Sequence, residues 1–544
     1  MPSDRRPPRP PRSPSPGADK TERPFWQAVV DKKAARVAAK TKAKGKDKAQ
    51  DHDQPRPGPL GGAPKPSRPV AGPAKSSRPV AGPARPSRPV AGPAKPSRPV
   101  AGPAKSSRPI AGPAKSSRPV AGPTKPSRPV AGGRPSPTGR HASPRDRRAM
   151  SSPGGPVTAT GDLAERTRLV AALTASTPEH DDPHNPSARQ WTHGFHSYPA
   201  RFHPLLVRHL LAGTPVGSQL LDPFAGSGTA LVEGLTAGLH GRGIDLNPLA
   251  VALARVKTTL LNADQLATLV DTARAVGDAS HERVRTRART AESGERYDDP
   301  QHYAPHVFRE LVGLREELDT VDEAVRGTLL LGLSAIVIKV SRQPSETAAG
   351  EVERKIGKNL PTQLFVRKIE ELALRLHQLA GAVPPNTPTP ELRLGDARRL
   401  LYIADASIDL VVTSPPYLGT YDYAEQHRRR FGWLGLDANR FKSDEIGSRR
   451  KSGDPASGLA AWQRDVNAFV GEMARVLKPG ARAYLVIGDS ALGHEVVPGD
   501  AAVTAAAELH GLTVVAAAAQ ARPNFYADAR RATRSEHLLS LRKP

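Results

Sequence analysis

The stretch that most constrains the fold is GSQLLDPFAGSGTALVEGLTAGLHGRGIDLN, residues 217–247. A short apolar run, a glycine-rich turn, a helical period and a second apolar run follow one another in this stretch. This order predicts a strand, a turn, a helix and another strand that closes on Asp245. The segment therefore indicates a β-α-β unit of an open α/β sheet.

The residue types in this unit favour a nucleoside-containing ligand. A glycine turn lets backbone N–H groups approach a ligand closely, and an acid at the end of the next strand can accept both ribose hydroxyls. Gly226 and Gly228 supply the turn, and Asp245 supplies the acid. A GxG spacing alone also occurs where glycines serve only packing. The longer string DPFAGSGT, residues 222–229, is therefore the basis of the prediction.

A second motif, TSPPY, occupies residues 413–417 at the end of the β-branched run VVT. Together with DPFAGSGT it resembles the amino-methyltransferases that use S-adenosylmethionine to modify exocyclic nitrogens of DNA bases. The resemblance covers roughly residues 190–260 and 390–544. It implies a Rossmann-like sheet of seven strands with an antiparallel end hairpin. We place the strands at 219–224, 241–246, 391–395, 408–413, 481–488, 512–519 and 536–542.

The resemblance assigns a cofactor site on both sides of the glycine turn. His203 and Pro204 would begin the helix that caps the methionine end of the cofactor. Asp396 would meet the adenine amine, although a solvated turn residue would have the same sequence context. The expected cofactor-binding residues are Asp222, Phe224, Ala225, Gly226, Ser227, Gly228, Thr229, Asp245, Asp396, His203 and Pro204.

The catalytic residues are expected in the turn Ser414, Pro415, Pro416 and Tyr417. Two prolines fix φ twice and turn the backbone at the carboxyl end of a strand, where ligands of open sheets bind. If the Ser414 side chain and the Pro415 carbonyl accept the two amine hydrogens, the nitrogen lone pair can point at the sulfonium methyl group. Tyr417 would then stack on a base that has been flipped out of the duplex.

The absence of cysteine limits which atom of a base this chain could methylate. Related cytosine C5 methyltransferases attack the ring with a cysteine, and this chain has none. Disulfides and thiolate metal sites are excluded for the same reason. Within the family, serine at the first position of the turn favours cytosine N4, whereas aspartate or asparagine favours adenine N6. We therefore expect an exocyclic nitrogen, with cytosine N4 preferred.

The first 160 residues are predicted to be a disordered tail. Residues 1–150 contain 32 of the 57 prolines and carry 34 Lys and Arg against 8 Asp and Glu, which is +26 of the total +27. From Lys65 to Arg134 a unit like KPSRPVAGPA occurs seven times. Each unit offers a single Val or Ile to bury, so an extended, polyproline-like segment is expected. It could bind polyanions without reading bases, or act only as a spacer.

The remaining chain is divided into residues 161–257, which bind the cofactor, a helical insertion 258–390, and the catalytic half 391–544. TLLLGLSAIVIKVSRQPSET and QLFVRKIEELALRLHQLA have helical spacing. The insertion is expected to recognise nucleic acid or to act as a packing lid. Arg428, Arg429, Arg430, Arg449 and Arg450 could contact phosphates or form a solvated face. Phe431 or Trp433 could support an unstacked base, although Trp433 could equally be a core residue.

Alternative functions remain open at this stage. Five histidines lie from His180 to His203 inclusive, and such a cluster could form a metal site. Because the chain has no cysteine, we instead expect structural or substrate-proximal histidines and no metal. RNA could replace DNA as the partner, and a non-catalytic nucleic-acid-binding protein with the same fold is a third alternative. We recognise no nuclease pattern, so a cognate restriction activity would lie on another chain. No apolar run is long enough to span a bilayer, and a cytoplasmic location is expected.

Overall fold

The computed structural model describes residues 155–176, 189–286, 300–346, 350–448, 454–492, 495–522 and 534–544. The predictions for residues 1–154, Arg449 and Arg450 lie outside these ranges. In the described part of the chain, no helix combines the length and the apolarity needed to cross a membrane.

A mixed sheet of eight strands forms the centre of the fold. Its strands are β1 (Val157–Gly161), β2 (Gln219–Asp222), β3 (His240–Asp245), β4 (Glu391–Leu394), β5 (Ile408–Thr413), β6 (Leu477–Gly488), β9 (Thr513–Arg522) and β10 (Arg534–Arg542), in the order β1-β9-β10-β6-β5-β2-β3-β4. The five strands from β4 to β6 are parallel, and β10, β9 and β1 are antiparallel. The small hairpin β7 (Ser490–Leu492) and β8 (Glu495–Val497) lies outside this sheet. The predicted Rossmann-like class and the antiparallel end hairpin are confirmed.

The eighth strand, β1, corrects the prediction of seven strands. It pairs with β9 from Val157 opposite Gln520 to Gly161 opposite Ala516. We predicted a disordered tail over residues 1–160, and all but the last residue of β1 lies within that range. The sequence VTATG is too short and too polar to predict a strand alone, but the edge of β9 supplies its hydrogen-bonding partner.

Helices cover both faces of the sheet because its central strands alternate between two apolar cores. The helices are α1 (Leu163–Ala175), α2 (Pro204–Leu211), α3 (Thr229–Thr236), α4 (Pro248–Thr258), α5 (Ala263–Thr286), α6 (Pro305–Thr320), α7 (Glu323–Val337), α8 (Leu360–Ala380), α9 (Tyr423–Gln426), α10 (Arg428–Leu434), α11 (Asn439–Asp444), α12 (Pro455–Val476) and α13 (Gly499–Leu509). Leu220 packs on one face with Leu206 of α2, whereas its neighbour Leu221 packs on the other with Phe469 of α12.

The insertion between β3 and β4 is helical, as predicted, and comprises α5 to α8 with a short 3₁₀ turn at Pro300–His302. One predicted helical stretch was too long, because it continued to Thr347 whereas α7 ends at Val337. The insertion shares its apolar core with the catalytic half. Phe365 of α8 and Trp433 of α10 belong to one buried cluster, and Leu331 of α7 and Phe431 of α10 belong to another. Trp433 is thus a core residue.

Candidate active site

The glycine turn between β2 and α3 has the geometry that a close ligand contact requires. Gly226 and Gly228 have φ angles of 50° and 81°, which side chains rarely adopt. A Cβ at Gly228 would lie 2.8 Å from the Cβ of Ala254, so this glycine also lets α4 approach. The backbone N–H of Gly226 donates to Oδ2 of Asp245 at 2.8 Å. The turn and the acid at the end of β3 therefore meet at one edge of the sheet.

Asp245 is held by backbone donors on both oxygens. Besides Gly226, the N–H of Asn247 donates to its Oδ1 at 2.8 Å. Burial raises the pKa of Asp245 to about 6, against the opposing effect of these hydrogen bonds. These hydrogen bonds fix the carboxylate in position.

The predicted catalytic turn is joined directly to the glycine motif. The hydroxyl of Thr413 donates to Oδ1 of Asp222 at 2.7 Å, and Asp222 also accepts the N–H of Phe224. Burial raises the pKa of Asp222 to about 7. On the other side of the turn, Nε1 of Trp462 donates to the carbonyl of Pro416 at 3.0 Å. These contacts fix both ends of the Ser-Pro-Pro segment.

A cleft runs along these motifs and is lined by residues of both. Among the described residues that line it, three are carboxylates and none is Lys, Arg or His. The lining residues are Tyr198, Ala200, Pro223, Phe224, Gly226, Asp245, Leu246, Asn247, Gly395, Asp396, Ala397, Ser414, Pro416, Tyr423, Phe441, Glu445 and Ile446. Such a wall favours a ligand that is cationic and has an apolar or aromatic surface.

The structure brings only part of the predicted cofactor set to this cleft. Phe224, Gly226, Asp245 and Asp396 line it. Asp222, Ala225, Ser227 and Thr229 are buried, whereas His203 and Pro204 begin α2, as predicted, outside the residues that line the cleft. Four to six residues before this helix, Tyr198 and Ala200 line it instead.

Asp396 is engaged by an arginine two residues later. Nη2 of Arg398 lies 2.7 Å from its Oδ2, and Nη1 of Arg398 reaches Asp465 at 2.7 Å. Burial opposes its ionisation, but the bonds from Arg398 outweigh burial and lower the pKa of Asp396. It is therefore a fixed, ionised wall residue and not a solvated turn residue.

Within the catalytic turn, Ser414 and Pro416 line the cleft, while Pro415 and Tyr417 are not among the described lining residues. Pro415 is buried. Tyr417 is half-buried and packs against β6, where a Cβ at Gly488 would lie 2.6 Å from its ring. The tyrosine ring is thus supported from behind by a strand that must carry glycine at this point.

The arginine cluster after the turn does not form a single phosphate-binding face. Arg430 is 1% exposed and pairs with Glu346, so the prediction that it contacts phosphate was wrong. Arg429 is half-buried beside Gln343, and Arg428 is exposed and pairs with Glu425. Phe431 is buried as well, which removes it as a support for an unstacked base. Residues three or four apart share one face of α10, so consecutive arginines point in different directions and only some of them face the core.

His193 and His196, which precede the site, are structural, and this is one of the two alternatives predicted for them. Nε2 of His193 lies 3.0 Å from Oε1 of Glu233, and Nε2 of His196 lies 3.0 Å from the hydroxyl of Ser334. Burial lowers the pKa of His193 to about 4, although the bond to Glu233 opposes this, and burial also lowers the pKa of His196. Both rings are therefore neutral at pH 7.

The wall residues that sequence reasoning missed include Tyr198, Tyr423 and Glu445. The rings of Tyr198 and Tyr423 stack with centroids 6.3 Å apart. The repeated aromatics in TYDY, directly after the catalytic turn, were a usable signal for Tyr423. Nothing in the local sequence marks Glu445, because it reaches the cleft through a separate helix and loop.

Comparisons with known proteins agree with this architecture. The chain is 26% identical over 277 residues to the type II methyltransferase M.MvaI of Kocuria varians, covering 46% of this chain and 59% of that protein. It is 22% identical over 277 residues to M.BsoBI of Geobacillus stearothermophilus, covering 46% and 54%, and 42% identical over 66 residues to M.MjaII of Methanocaldococcus jannaschii, covering 12% of each. The match thus spans just over half of the first and second relatives. These matches confirm the predicted methyltransferase resemblance.

No family model matches the sequence. Among solved structures, an SAM-dependent methyltransferase from Methanosarcina mazei is 11% identical, with a TM-score of 0.24 over 61% of this chain and 96% of that one. A TM-score this low carries no argument about the fold.

Proposed function

We propose that this chain is an S-adenosylmethionine-dependent DNA methyltransferase that modifies an exocyclic amine, with cytosine N4 as the preferred target. The observation that carries the proposal is the hydrogen bond between Thr413 and Asp222. It joins the two motifs, so that Gly226 and Asp245 share one cleft with Ser414 and Pro416.

The charge of the cleft supports the cofactor. S-adenosylmethionine carries a sulfonium and an ammonium group, and the described wall offers three carboxylates and no basic side chain. Gly226, Asp245 and Asp396 would hold the nucleoside and amino-acid portions, with Phe224 against the adenine ring. When bound, the cofactor supplies an activated methyl group.

The catalytic turn supports transfer to an amine. Ser414 faces the cleft, and the carbonyl of Pro416 is already bound by Trp462. By the family resemblance, the side chain of Ser414 and the carbonyl of Pro415 would accept the two hydrogens of a base amine. Holding both hydrogens orients the nitrogen lone pair, which is the main contribution that a protein can make to such a transfer.

The nature of the target rests on three facts. The curated relatives are type II methyltransferases. The chain has no cysteine for attack on a pyrimidine ring, and the turn begins with Ser414. Together they favour a base amine over a ring carbon, and cytosine over adenine.

The decisive experiment is product identification. Purified full-length protein is incubated with labelled S-adenosylmethionine and either duplex DNA or total RNA, and the nucleic acid is digested and analysed by mass spectrometry. We expect N4-methylcytosine in DNA. N6-methyladenine would correct the base, a product only in RNA would correct the polymer, and no transfer to either would overturn the proposal.

A matched pair of variants tests the catalytic turn. We expect Pro415→Ala and Tyr417→Ala to lose on the order of 10²-fold or more in methyl transfer, because the first frees the backbone that fixes the Pro415 carbonyl and the second removes the base support. The affinity for S-adenosylmethionine, measured by calorimetry, should change little. Tyr402→Ala, which removes a tyrosine that is 63% exposed, is the control. A collapse of cofactor affinity in Pro415→Ala or Tyr417→Ala would contradict the assignment of the turn.

A further inference from the structure

Glu445 is a carboxylate of the cleft wall to which the predicted chemistry gives no task. It is 3% exposed and lines the cleft together with Ser414, Pro416 and Tyr423. It directly follows α11, well after the catalytic turn in the sequence. A buried acid at such a position is costly unless it is held by hydrogen bonds or serves the site.

Glu445 belongs to a short segment, residues 445–448, that lies along the catalytic turn; we call it the strap. Its Oε1 accepts the backbone N–H of Tyr423 at 2.7 Å. The carbonyl of Gly447 accepts the N–H of Gly419 at 2.8 Å, and the hydroxyl of Ser448 donates to Asp422 at 2.5 Å. Three bonds thus fix the strap to residues 419–423.

The strap lies so close to the turn that residue 447 has no room for a side chain. Gly447 has φ 65°, and a Cβ there would lie 2.9 Å from the carbonyl oxygen of Tyr417 and 3.2 Å from the ring of Trp462. Trp462 in turn holds the Pro416 carbonyl. The strap, the tryptophan and the Ser-Pro-Pro turn therefore form one rigid unit, and the carboxylate of Glu445 is positioned relative to that turn.

Glu445 differs from the other two carboxylates in its location. Asp245 and Asp396 follow β3 and β4 and are engaged by the Gly226 and Asn247 amides and by Arg398, respectively. Glu445 is attached, through the N–H of Tyr423, to the segment that follows the catalytic turn. Asp245 and Asp396 are not bonded to that segment in the contacts given above, and we call the end of the cleft lined by the catalytic turn the reacting end.

Methylation of an amine creates the need for a base at that end. When the amine nitrogen forms its bond to the methyl carbon, the carbon–sulfur bond breaks and its electron pair stays on sulfur, which becomes a neutral thioether. The nitrogen then carries an extra positive charge and must release one proton. Neither Ser414 nor a proline carbonyl can take up a proton at neutral pH.

We propose that Glu445 is a further catalytic residue, which accepts the proton released by the target amine and passes it to solvent when the site opens. The inference rests on the proposed function. The strap holds the carboxylate against residues 419–423, which directly follow the turn that would orient the amine.

The test compares Glu445→Gln with wild type in single-turnover methyl transfer. Glutamine keeps an oxygen for the Tyr423 N–H but has no basic site, so we expect a rate loss of about 10²–10⁴-fold. The dissociation constants for S-adenosylmethionine and for DNA should stay within about twofold of wild type. Glu425→Gln is the matched control, because Glu425 lies in neighbouring α9 with 58% of its side chain exposed.

Two outcomes would overturn the inference. An unchanged single-turnover rate in Glu445→Gln would show that the proton leaves by another route. A loss of cofactor affinity that accounts for the whole rate loss would show that Glu445 only attracts the cationic methyl donor. A wild-type protein that methylates no base would instead defeat the proposed function itself.

Chemical rescue separates a catalytic from a structural role. Glu445→Ala leaves space for a small carboxylate, and added formate should restore part of the lost rate only if the missing group acts as a base. The wild-type rate should also fall on acidification more steeply than that of Glu445→Gln, although Asp245, Asp396, Tyr198 and Tyr423 face the same cleft in both. Absence of rescue together with parallel pH profiles would contradict the proposal.

Discussion

At the scale of single residues, Gly226 shows how one backbone conformation controls access to the cleft. Its φ of 50° is strained for a residue with a side chain, and a Cβ would point towards the ring of Tyr198, 3.6 Å away across the cleft. We expect Gly226→Val to abolish binding of S-adenosylmethionine, because the branched side chain would occupy the cofactor space. Calorimetric titration measures this loss.

The control for Gly226→Val is Gly217→Val. Gly217 has φ 83°, and a Cβ at this position would meet no described atom within 4 Å, so the variant has similar backbone strain without blocking the cleft. It should bind the cofactor normally. Retained binding by Gly226→Val would show that the ligand lies elsewhere.

Arg430 illustrates a residue whose role the sequence concealed. Its guanidinium pairs with Glu346, lies 2.9 Å from Nε2 of His196 and donates to the hydroxyl of Ser197 at 3.2 Å. These contacts connect the insertion, the segment before Tyr198 and α10. Removing one partner leaves a buried charge uncompensated, which typically costs roughly 3–5 kcal/mol.

We therefore expect Arg430→Met to lower the free energy of unfolding in urea by that amount. Arg428→Met, which breaks an exposed pair with Glu425, should change it by about 0–1 kcal/mol. Equal and small effects of the two substitutions would mean that Arg430 is not the buried anchor described here.

At the scale of elements, Asp489 and His537 connect β6, β10 and α13 behind the catalytic turn. Nε2 of His537 lies 2.7 Å from Oδ1 of Asp489, and its Nδ1 faces Asp500 of α13 at 3.5 Å. Burial opposes protonation of His537, but the bond to Asp489 and the charge of Asp500 outweigh it and raise its pKa. The bond from His537 likewise lowers the pKa of Asp489 against the effect of burial.

The sign of the pH dependence follows from these shifts. The folded state binds the His537 proton more tightly than the unfolded state, so this stabilisation is present below pH 6.5 and is lost as the pH rises through the raised pKa. The contribution of Asp489 is present above pH 3.8 and is lost as the pH falls through its lowered pKa. The pair should therefore stabilise most between these values. Urea unfolding at several pH values should show that the free energy of unfolding of the wild type falls above pH 6.5, and that this fall is absent in His537→Gln. If the free energies of the two proteins changed in parallel with pH, the stabilising role of His537 would be refuted.

At the scale of the whole molecule, the prediction concerns residues 1–154. Residues 1–150 hold +26 of the +27 charge, so a truncation that begins at Gly155 and keeps β1 removes nearly all of the excess. Binding through phosphate contacts weakens steeply as the salt concentration rises, and such contacts do not distinguish one base from another. We expect the truncated enzyme to keep its site preference and its kcat, but to show a higher KM for long DNA at low salt and a smaller slope of log K against log salt.

The measurement is the activity of full-length and truncated protein at about 50 and about 200 mM salt, where binding through phosphates differs by orders of magnitude. A short oligonucleotide duplex serves as the control, since it offers the tail few additional phosphates. The same salt dependence in both proteins would mean that the repeats act only as a spacer.

The sequence by itself indicated seven of the eight strands of the sheet and both motifs. Strands such as β2 and β5 contain short apolar runs that are closed by Asp222 or by Ser-Pro-Pro, and such local patterns need no partner to be recognised. The antiparallel pairing of the last two strands, β9 and β10, was implied by the family resemblance. Gly226, Asp245 and Ser414 were identified because each stands at a strand end, where an open sheet forms its site.

Only the tertiary structure decided what depends on contacts between distant segments. β1 becomes a strand because β9 offers an unpaired edge, 355 residues away at Ala516 opposite Gly161. Arg430 resembles its two neighbours in sequence, but α10 turns it inward onto Glu346, 84 residues earlier. Glu445 reaches the cleft because Gly447 lets the strap touch the turn. Periodicity fixes which face a residue occupies, whereas packing of one element on another fixes whether that face meets solvent, the core or the site.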